Sequence, residues 1–342
     1  MRAAVLRQGR LVVDEVPEPS PGPGQVLAET LACGICGSDV HLVQHLDRLV
    51  AASQADGNQF MFDVERDVVL GHEFSARVVE LGPGASGVEP GDVVVSMPLV
   101  VTQEGPKPVG FSNEYPGGYG ERVVLMAALC RKVPEGLDPR YAALTEPMGV
   151  GLHAVAKSGI KEGEAAIVYG CGPIGLAVIA SLRLAGVRPI IAADLSPKRR
   201  ELAARMGAHE AVDPREEPAV AAWQRLDGTQ NLGIFEASGA KGMIAQAMRD
   251  APRYARILVV GVCMEADTIW PMLGVNKELT IQFSLGSQPE EFDRTLALIA
   301  SGDIDVAPLI TGEVGISGVP GAFEELARPD AHAKIIVEPA RG

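Results

Sequence analysis

Basic residues are scarce relative to acidic ones in this sequence. Lysine and arginine number 30 against 44 aspartates and glutamates, which leaves a formal net charge of −14 at pH 7. Proteins that bind nucleic acids concentrate Lys and Arg, because these residues displace the counterions of the phosphates. The acidic balance argues against a nucleic-acid partner and favours small molecules as ligands.

Long uninterrupted apolar runs are also missing. The N-terminal segment alternates charged and apolar residues over its first ten positions, unlike a secretory signal peptide. The most apolar long window, residues 173–193, contains Arg183 and Arg188 and is a poor candidate for a membrane span. We therefore expect a cytoplasmic protein with no membrane partner.

A disulfide framework is absent. The five cysteines are scattered and odd in number, whereas small secreted domains carry paired sets. Any cysteine with a special role is expected to act as a thiol or thiolate. The five are Cys33, Cys36, Cys130, Cys171 and Cys263.

The chain of 342 residues, 47% hydrophobic and 22% charged, has the composition of a folded protein and a length that favours two domains. Short valine-bearing runs between Gly/Pro turns fill the first 130 or so residues and predict mostly β-structure. From Ala165 onward, apolar strand-like runs alternate with Ala-rich helical stretches, which predicts parallel βαβ units. The segment DAHAKIIVEPA near the end again has the valine- and isoleucine-bearing pattern of the first 130 residues. Its strand is therefore expected to rejoin the first domain.

The clearest local motif is GCGPIG, which follows the strand-like AAIVY and opens an Ala/Leu-rich stretch. Its glycines permit a tight turn and close approach of a pyrophosphate, while the helix N-terminus offers amides to the phosphates. A glycine turn of another α/β protein is the alternative, but the strand–turn–helix context favours a dinucleotide site. The predicted contacts are Gly170, Gly172, Pro173, Ile174 and Gly175.

Asp194 ends the next strand-like run, PIIAAD. A carboxylate there can accept hydrogen bonds from ribose hydroxyls and would repel a 2′-phosphate, which favours NAD over NADP. Lys198, Arg199 and Arg200 follow and could attract a phosphate instead, although such clusters are more often solvated helix faces.

A second constellation lies near the N-terminus, where CGICGSDVH covers residues 33–41 and VLGHEF covers residues 69–74. Cys36 and His72 suit zinc, but they are far apart in sequence and lack the compact spacing of a zinc finger. In isolation, Cys33 and Cys36 could equally form a redox dithiol, and His72 could be an ordinary buried histidine.

Six segments stand in the order found in zinc-containing medium-chain alcohol dehydrogenases. They are CGICGSDVH, GHE, PGGYGERV at 116–123, TEPMGVGLHA at 145–154, GCGPIG, and the stretch from Asp194 to Ala208. The sequence resembles this family over nearly its whole length. It looks most like the branch with sorbitol, threonine and butanediol dehydrogenases, in which a Glu-Pro pair replaces a cysteine of the liver-type enzymes.

The resemblance implies an α/β chain with a split architecture. A mostly-β, GroES-like catalytic domain is expected over residues 1–147 and 289–342, and a Rossmann NAD-binding domain with a doubly wound parallel sheet over 148–288. The implied activity is zinc-dependent transfer of a hydride between NAD and a secondary alcohol, diol or polyol, giving a ketone or aldehyde.

The same resemblance implies the metal site. Cys36, His72 and Glu146 match the three catalytic zinc ligands, which leave a fourth position for water or substrate oxygen. Glu73 is in this family sometimes a direct ligand and sometimes an outer residue, so Glu73 and Glu146 compete for one role. Asp39 matches a carboxylate that orients a ligand histidine, although it could also be a simple turn or helix-cap residue.

Further roles follow from the resemblance. Ser38 matches the hydroxyl that accepts the proton of the alcohol, and His41 matches the imidazole that passes it to solvent; His41 could also be merely exposed on a helix. Arg199 lies where relatives place a basic residue near the adenosine ribose. Val260 lies in one of the strand ends that floor the nicotinamide pocket.

Two departures from the family are visible. Many zinc relatives carry four closely spaced cysteines for a structural zinc, whereas residues 97–118 contain none, so one catalytic zinc per chain is expected. The connection over residues 44–67 is longer than is usual at this place in the family, and it contains Phe60, Met61 and Phe62. It could cap the substrate site, or it could be a surface excursion unrelated to catalysis.

Relatives form homodimers or homotetramers, usually by joining Rossmann sheets edge to edge. Residues 256–270, RILVVGVCMEADTIW, could supply that edge, although an ordinary buried strand would look the same. Two other functions stay open: a redox-neutral lyase or epimerase that retains NAD, and a catalytically silent binding protein on the same fold. The zinc-ligand set disfavours the silent protein and a zinc-free quinone-type reductase.

Overall fold

The computed structural model describes residues 1–55, 57, 60–226, 228, 231–328 and 331–341. The chain forms two compact units, Met1–Glu146 with Phe292–Gly342, and Pro147–Glu291. No helix within the described residues is long and apolar enough to cross a bilayer.

The first unit begins with β-structure. Its elements up to residue 143 are β1 (Arg2–Arg7), β2 (Arg10–Glu15), β3 (Gln25–Gly34), α1 (Gly37–Ala55), β4 (Val68–Val69), β5 (Glu73–Leu81), β6 (Val93–Ser96), β7 (Leu99–Thr102), β8 (Gly105–Pro108), β9 (Arg122–Met126), β10 (Cys130–Lys132) and α2 (Pro139–Ala143). The strands predicted from the valine-bearing runs are present as β3, β5, β6 and β9.

The second unit alternates helices and strands. Its elements are α3 (Thr145–Ser158), β11 (Ala165–Tyr169), α4 (Pro173–Leu184), β12 (Ile190–Ala193), α5 (Pro197–Met206), β13 (Glu210–Val212), α6 (Ala219–Leu226), β14 (Leu232–Glu236), α7 (Met243–Asp250), β15 (Arg256–Val259), α8 (Pro271–Lys277) and β16 (Thr280–Phe283). Its sheet has the order β13-β12-β11-β14-β15-β16, and all neighbours are parallel.

This strand order reverses between β11 and β14, which is the arrangement of a doubly wound dinucleotide-binding sheet. Ile167, Ile191, Ile234 and Ile257 stand opposite one another on neighbouring strands and are all buried. Helices cover both faces of such a sheet, so its strands are apolar throughout rather than alternating.

The chain then returns to the first unit with α9 (Pro289–Ser301), β17 (Ile310–Val314), α10 (Val319–Leu326) and β18 (Lys334–Val337). Strand β18 pairs with β3, which confirms that the last strand rejoins the first domain. The main sheet of this unit runs β10-β6-β5-β3-β18-β17, with β9 also on β3. The predicted combination of a mostly-β unit and a Rossmann-type unit is confirmed.

Residues 256–270 do not provide the free sheet edge. Strand β15, which they contain, is flanked by β14 and β16, and the edge strand on this side is β16. The apolar run RILVV is therefore the ordinary buried strand, because parallel strands in the middle of a sheet are apolar on both faces.

Two segments that depart from the family pattern adopt defined structures. Residues 99–108 form the hairpin of β7 and β8. In the long connection, helix α1 continues to Ala55, and Phe62 is buried in the core while Met61 is exposed. Asp56, Asn58 and Gln59, which belong to the same connection, lie outside the described residues.

Candidate functional site

Strand pairing brings the distant ligand candidates together. Strands β3 and β5 are antiparallel, and Gly34 at the end of β3 stands opposite Glu73 at the start of β5. Cys36 follows β3 and His72 precedes β5, so both lie at the same end of this strand pair. Ligand atoms of Cys36, His72 and Glu73 all lie within 4.8 Å of one another.

Cys33, the other half of the C-x-x-C, is a core side chain. It is fully buried, and a Cβ placed on Gly118 would meet its Sγ at 2.6 Å. Burial raises the pKa of the Cys33 thiol, and Glu73 and Asp39 raise it further. All five cysteines are free thiols in the structure. The two cysteines of the motif therefore have different surroundings, and Cys36 is the one beside His72.

Glu73 has a buried cation as its partner. The ammonium of Lys334 donates to both carboxylate oxygens at 2.7 Å and to the carbonyl oxygen of Ile35 at 3.0 Å. Lys334 and Glu73 have side-chain exposures of 1% and 0%. Burial alone lowers the pKa of Lys334, but Glu73, Cys36 and Glu146 together outweigh burial, and the net shift of this pKa is upward. Sequence reasoning missed Lys334, whose one signal was a lysine inside the apolar run of the last strand.

Asp39 and His72 form the next contact of the cluster. Asp39 lies in the first turn of α1 and is fully buried. Its Oδ1 lies 3.4 Å from Nδ1 of His72. Burial lowers the pKa of His72, but Asp39 and Cys36 outweigh burial and raise it. The carboxylate therefore faces one ring nitrogen of His72, as is usual beside metal-binding imidazoles.

Glu146 lies in the first turn of α3 and is half-buried. Burial raises the pKa of Glu146 to about 7; His72 acts in the opposite direction, and Glu73 raises it further. These influences place Glu146 in the electrostatic neighbourhood of the same cluster. A carboxyl group with such a pKa is poised to exchange a proton for a metal ion near neutral pH.

Ser38 and His41 lie one helical turn apart on α1. The hydroxyl of Ser38 donates to Sγ of Cys36 at 3.1 Å. His41 is half-buried, and burial, followed by the nearby His45, lowers the pKa of its imidazole. Ser38 thus contacts a ligand candidate directly, and His41 is predominantly neutral near neutral pH.

The glycine motif forms the predicted turn between β11 and α4. Gly170 has φ +90°, and a Cβ on Gly175 would lie 1.8 Å from the carbonyl oxygen of Gly170. Gly172 caps α4 without a side-chain hydrogen bond, and a Cβ there would meet nothing within 4 Å. Pro173 and Ile174 then begin the helix. The space beside Gly172 is open, which leaves room for a pyrophosphate at this helix N-terminus.

Asp194 ties this turn to the end of β12. Its carboxylate accepts hydrogen bonds from the backbone N–H of Cys171 and of Ser196, both at 2.8 Å. Arg200 donates to the carbonyl oxygen of Asp194 at 2.8 Å. Arg199 is half-buried, and its Nε has no hydrogen-bond partner among the described residues.

Val260 follows β15, and its N–H donates to the carbonyl oxygen of Glu236 at 2.8 Å. The buried carboxylate of Glu236 in turn accepts the N–H groups of Ser238 and Gly239. A Cβ on Gly170 would approach the backbone of Ser238 at 2.7 Å. The carboxyl ends of β11, β14 and β15 thus meet at one edge of the sheet, where ligands of such folds bind.

Two family models match the chain. The alcohol dehydrogenase GroES-like domain matches residues 22–135, and the zinc-binding dehydrogenase model matches residues 173–301. The (R,R)-butanediol dehydrogenase of Bacillus subtilis is 31% identical over 338 residues, which cover 96% of each chain. The chain belongs to the zinc-containing alcohol dehydrogenase family. The predicted family resemblance is therefore confirmed.

Other members of this family are similar over comparable lengths. The L-threonine 3-dehydrogenase of Pyrococcus horikoshii is 32% identical over 94% of this chain and 93% of its own. A probable D-xylulose reductase A of Neosartorya fischeri is 30% identical over 89% and 87%. The crystal structure of 2R,3R-butanediol dehydrogenase from Bacillus subtilis superposes with a TM-score of 0.85 at 30% identity, covering 99% of both chains.

Proposed function

We propose that this family member is a zinc-dependent, NAD-linked dehydrogenase of secondary alcohols, diols or polyols. The observation that carries the proposal is the cluster of the Cys36 thiol, the His72 imidazole and the Glu73 carboxylate, whose ligand atoms lie within 4.8 Å of one another; Glu146 is not one of this group. We assign residues 1–147 and 289–342 to the GroES-like catalytic domain and residues 148–288 to the NAD-binding domain.

The donor set at this cluster fits zinc, which is bound in proteins by Cys, His and carboxylate ligands. When bound, zinc lowers the pKa of a coordinated hydroxyl and so makes an alcohol easier to oxidise. Among the described residues, one group of three or more such side chains brings its ligand atoms together. Together with the cysteine-free hairpin of residues 99–108, this supports one catalytic zinc per chain and no structural zinc.

We propose that Cys36, His72 and Glu146 hold the metal while Glu73 stays with Lys334. The two 2.7 Å contacts from the Lys334 ammonium to Glu73 favour this assignment over the proximity of Glu73 to Cys36 and His72. The variants Glu146→Gln and Glu73→Gln separate the alternatives. Zinc affinity measured by chelator competition should fall more in Glu146→Gln; a larger fall in Glu73→Gln would make Glu73 the direct ligand.

Ser38 and His41 are proposed to carry the proton away from the substrate. The hydroxyl of Ser38, at 3.1 Å from Sγ of Cys36, is placed to accept the proton of an alcohol at the metal. His41, one turn further along α1, carries an imidazole whose lowered pKa keeps it able to accept a proton near neutral pH. Asp39 holds His72 in orientation.

NAD is the proposed coenzyme rather than NADP. The Gly170–Gly175 turn would hold the pyrophosphate, Asp194 the adenosine ribose, and Val260 would floor the nicotinamide pocket. The carboxylate of Asp194 disfavours a 2′-phosphate by charge repulsion, whereas Arg199 near the ribose could attract one. Replacing Asp194 by Ser should narrow the ratio of NAD to NADP affinities; an unchanged ratio would contradict the assignment.

The substrate class rests on the names of the relatives, which act on butanediol, threonine or xylulose. Phe111 adds a local observation, because its ring packs 5.0 Å from the ring of His72 and places an apolar surface beside the ligand cluster. The test is NAD and NADP reduction over a panel of alcohols, diols and polyols, before and after chelation. Chelator-sensitive NADH formation supports the proposal, whereas tightly retained NAD without net NADH production would favour a lyase or epimerase.

A homo-oligomer is also proposed, assembled through β16, an edge strand of the second unit's sheet among the described residues. Large apolar side chains on and near this edge are exposed, and they are Trp270, Met272, Val275, Phe283 and Leu285. Light scattering should give a dimer or tetramer mass, and Phe283→Glu should reduce this mass; a monomeric wild-type protein would reject the proposal.

A cytoplasmic location is proposed as well. The five free cysteines agree with a reducing compartment, and cell fractionation tests this location.

A further inference from the structure

The motif PGGYGERV contains Tyr119, a residue with no role in the proposed chemistry. Tyr119 is fully buried. Its hydroxyl donates to Oδ2 of Asp39 at 2.6 Å and lies 3.4 Å from the carbonyl oxygen of Gly34. The other oxygen of Asp39 faces Nδ1 of His72 at 3.4 Å. Neither Oδ1 of Asp39 nor Nδ1 of His72 has a hydrogen-bond partner among the described residues. Tyr119 is therefore hydrogen-bonded to Asp39, and the free oxygen of Asp39 faces His72.

Backbone hydrogen bonds fix Tyr119 beside the residues that precede His72. The N–H groups of Gly117, Gly118 and Tyr119 donate to the carbonyl oxygens of Val69, Gly71 and Leu70 at 2.8, 2.8 and 3.1 Å. The phenol therefore approaches Asp39 from a segment that is bonded directly to the chain leading into His72.

The glycines of both segments make this approach possible. A Cβ on Gly71, where φ is +101°, would lie 2.8 Å from the ring of Tyr119. A Cβ on Gly117 would lie 2.2 Å from the carbonyl oxygen of Gly71. Only glycine leaves room for the close backbone contact and for the ring. The GHE and PGGYGE motifs therefore form one packed unit around Tyr119.

We propose that Tyr119 is a positioning residue of the zinc site, acting on His72 through Asp39. An ionised carboxylate accepts hydrogen bonds but donates none, so a 2.6 Å donor on Oδ2 fixes the rotation of the carboxylate and directs Oδ1 toward His72. Outer partners of metal ligands hold the imidazole in its binding orientation, and their loss weakens metal binding. The inference rests on the proposed zinc site.

The test is Tyr119→Phe, which removes the hydroxyl and keeps the ring that packs edge-on against Phe323 at 5.8 Å. We expect the zinc dissociation constant, measured by chelator competition on the zinc-loaded protein, to rise about 10-fold. We also expect the visible absorption of the cobalt-substituted protein to shift, since that absorption reports the geometry of the ligands.

Tyr169→Phe is the matched control. Tyr169 is a buried tyrosine of the second unit, and its hydroxyl donates to Asp250 at 2.5 Å. Tyr169→Phe should lower the free energy of unfolding about as much as Tyr119→Phe does. It should leave the zinc affinity and the cobalt spectrum unchanged. If Tyr119→Phe behaves in the same way, Tyr119 is only structural and the inference is overturned.

A second variant keeps the test decisive if Tyr119→Phe folds poorly. Asp39→Asn interrupts the same path while the phenol stays in place. Since Tyr119 acts through Asp39, Asp39→Asn alone should weaken zinc binding, and an unchanged zinc affinity in this variant would overturn the inference. Where both fold, the zinc affinities of Asp39→Asn and of Asp39→Asn/Tyr119→Phe should agree within about twofold. Additive losses would overturn the inference. A wild-type protein that binds no zinc would overturn the proposed function itself, whereas zinc binding that is indifferent to Tyr119→Phe would overturn this inference alone.

Discussion

The proposed metal site of the first unit, around Cys36, His72 and Glu73, and the proposed coenzyme turn of the second, residues 170–175, are built in opposite ways. The metal cluster gathers side chains from separate parts of the chain, including the Lys334–Glu73 pair, whose members are 261 residues apart. The coenzyme turn is the backbone of six consecutive residues, 170–175. The first depends on individual charged or ligating groups, and the second depends on the absence of side chains.

The sharpest way to test this difference is Cys36→Ala, which removes one ligand and leaves the coenzyme turn intact. Zinc content and activity should fall to background, because a catalytic site holds its metal through three protein ligands. NADH binding, followed by fluorescence titration, should be unchanged. Cys33→Ala is the control from the same C-x-x-C, and equal zinc loss in both variants would contradict the assignment of Cys36.

The second largest effect is expected from Lys334→Met. It leaves the buried carboxylate of Glu73 without its cation, which should lower the free energy of unfolding by about 3–5 kcal/mol in urea denaturation. The double variant Lys334→Met/Glu73→Gln should recover most of this loss. Arg253, paired with Glu278 on the surface, gives the comparison: Arg253→Met should lower the free energy of unfolding far less than Lys334→Met, because water already screens the exposed pair. Equal losses at both pairs would show that burial of the first pair has no consequence.

Gly175→Ala is the corresponding experiment in the second unit, because it changes the proposed coenzyme turn and leaves the zinc ligands in place. The added Cβ would lie 1.8 Å from the carbonyl oxygen of Gly170, so the turn must open. We expect NAD affinity to fall about 10 to 100-fold, since overpacking of this kind costs about 1–3 kcal/mol. Zinc content should stay at the wild-type value. A loss of zinc in this variant would contradict the expectation that Gly175→Ala affects only coenzyme binding.

The smallest effect is a pH dependence confined to the metal cluster. Burial raises the pKa of Glu146 to about 7 in the protein without metal, and zinc binds the deprotonated carboxylate. Below this pKa the proton competes with the metal, so apparent zinc affinity should fall by up to about tenfold per pH unit from this group alone. Above pH 7 the group is already ionised and contributes no slope. Glu146→Gln should remove this contribution to the pH dependence of zinc affinity. The affinity for NADH should not show this pH dependence.

The same contrast explains what the sequence could predict. The coenzyme turn was predicted from local pattern, because strand, glycines and helix are contiguous and the steric demand at Gly175 allows one residue type. The closeness of Cys36 and His72 follows from the pairing of β3 with β5, which no spacing rule encodes; family resemblance supplied that pair. The role of each site residue stays a prediction.

Lys334 and Tyr119 were not predicted. Lys334 reaches Glu73 because β18 pairs with β3, and a single lysine in an apolar strand does not reveal its partner. Tyr119 stands in a motif that served only to recognise the family. For residues 256–270 the sequence left a sheet edge and an ordinary buried strand open, and the structure shows the buried strand. The apolar pattern of β15 could not decide between them, because inner strands of a parallel sheet share it and the position of β16 depends on tertiary pairing.

The central claim is that Cys36, His72 and a carboxylate form one catalytic zinc site in each chain. Elemental analysis of the purified protein, saturated with zinc and freed of loosely bound metal, tests it most directly. The account predicts one zinc per chain. Chelation should remove this zinc and abolish NADH formation at the same time. A protein that retains no zinc after this treatment would contradict the ligand assignment and place the chain among metal-free members of the wider dehydrogenase/reductase family.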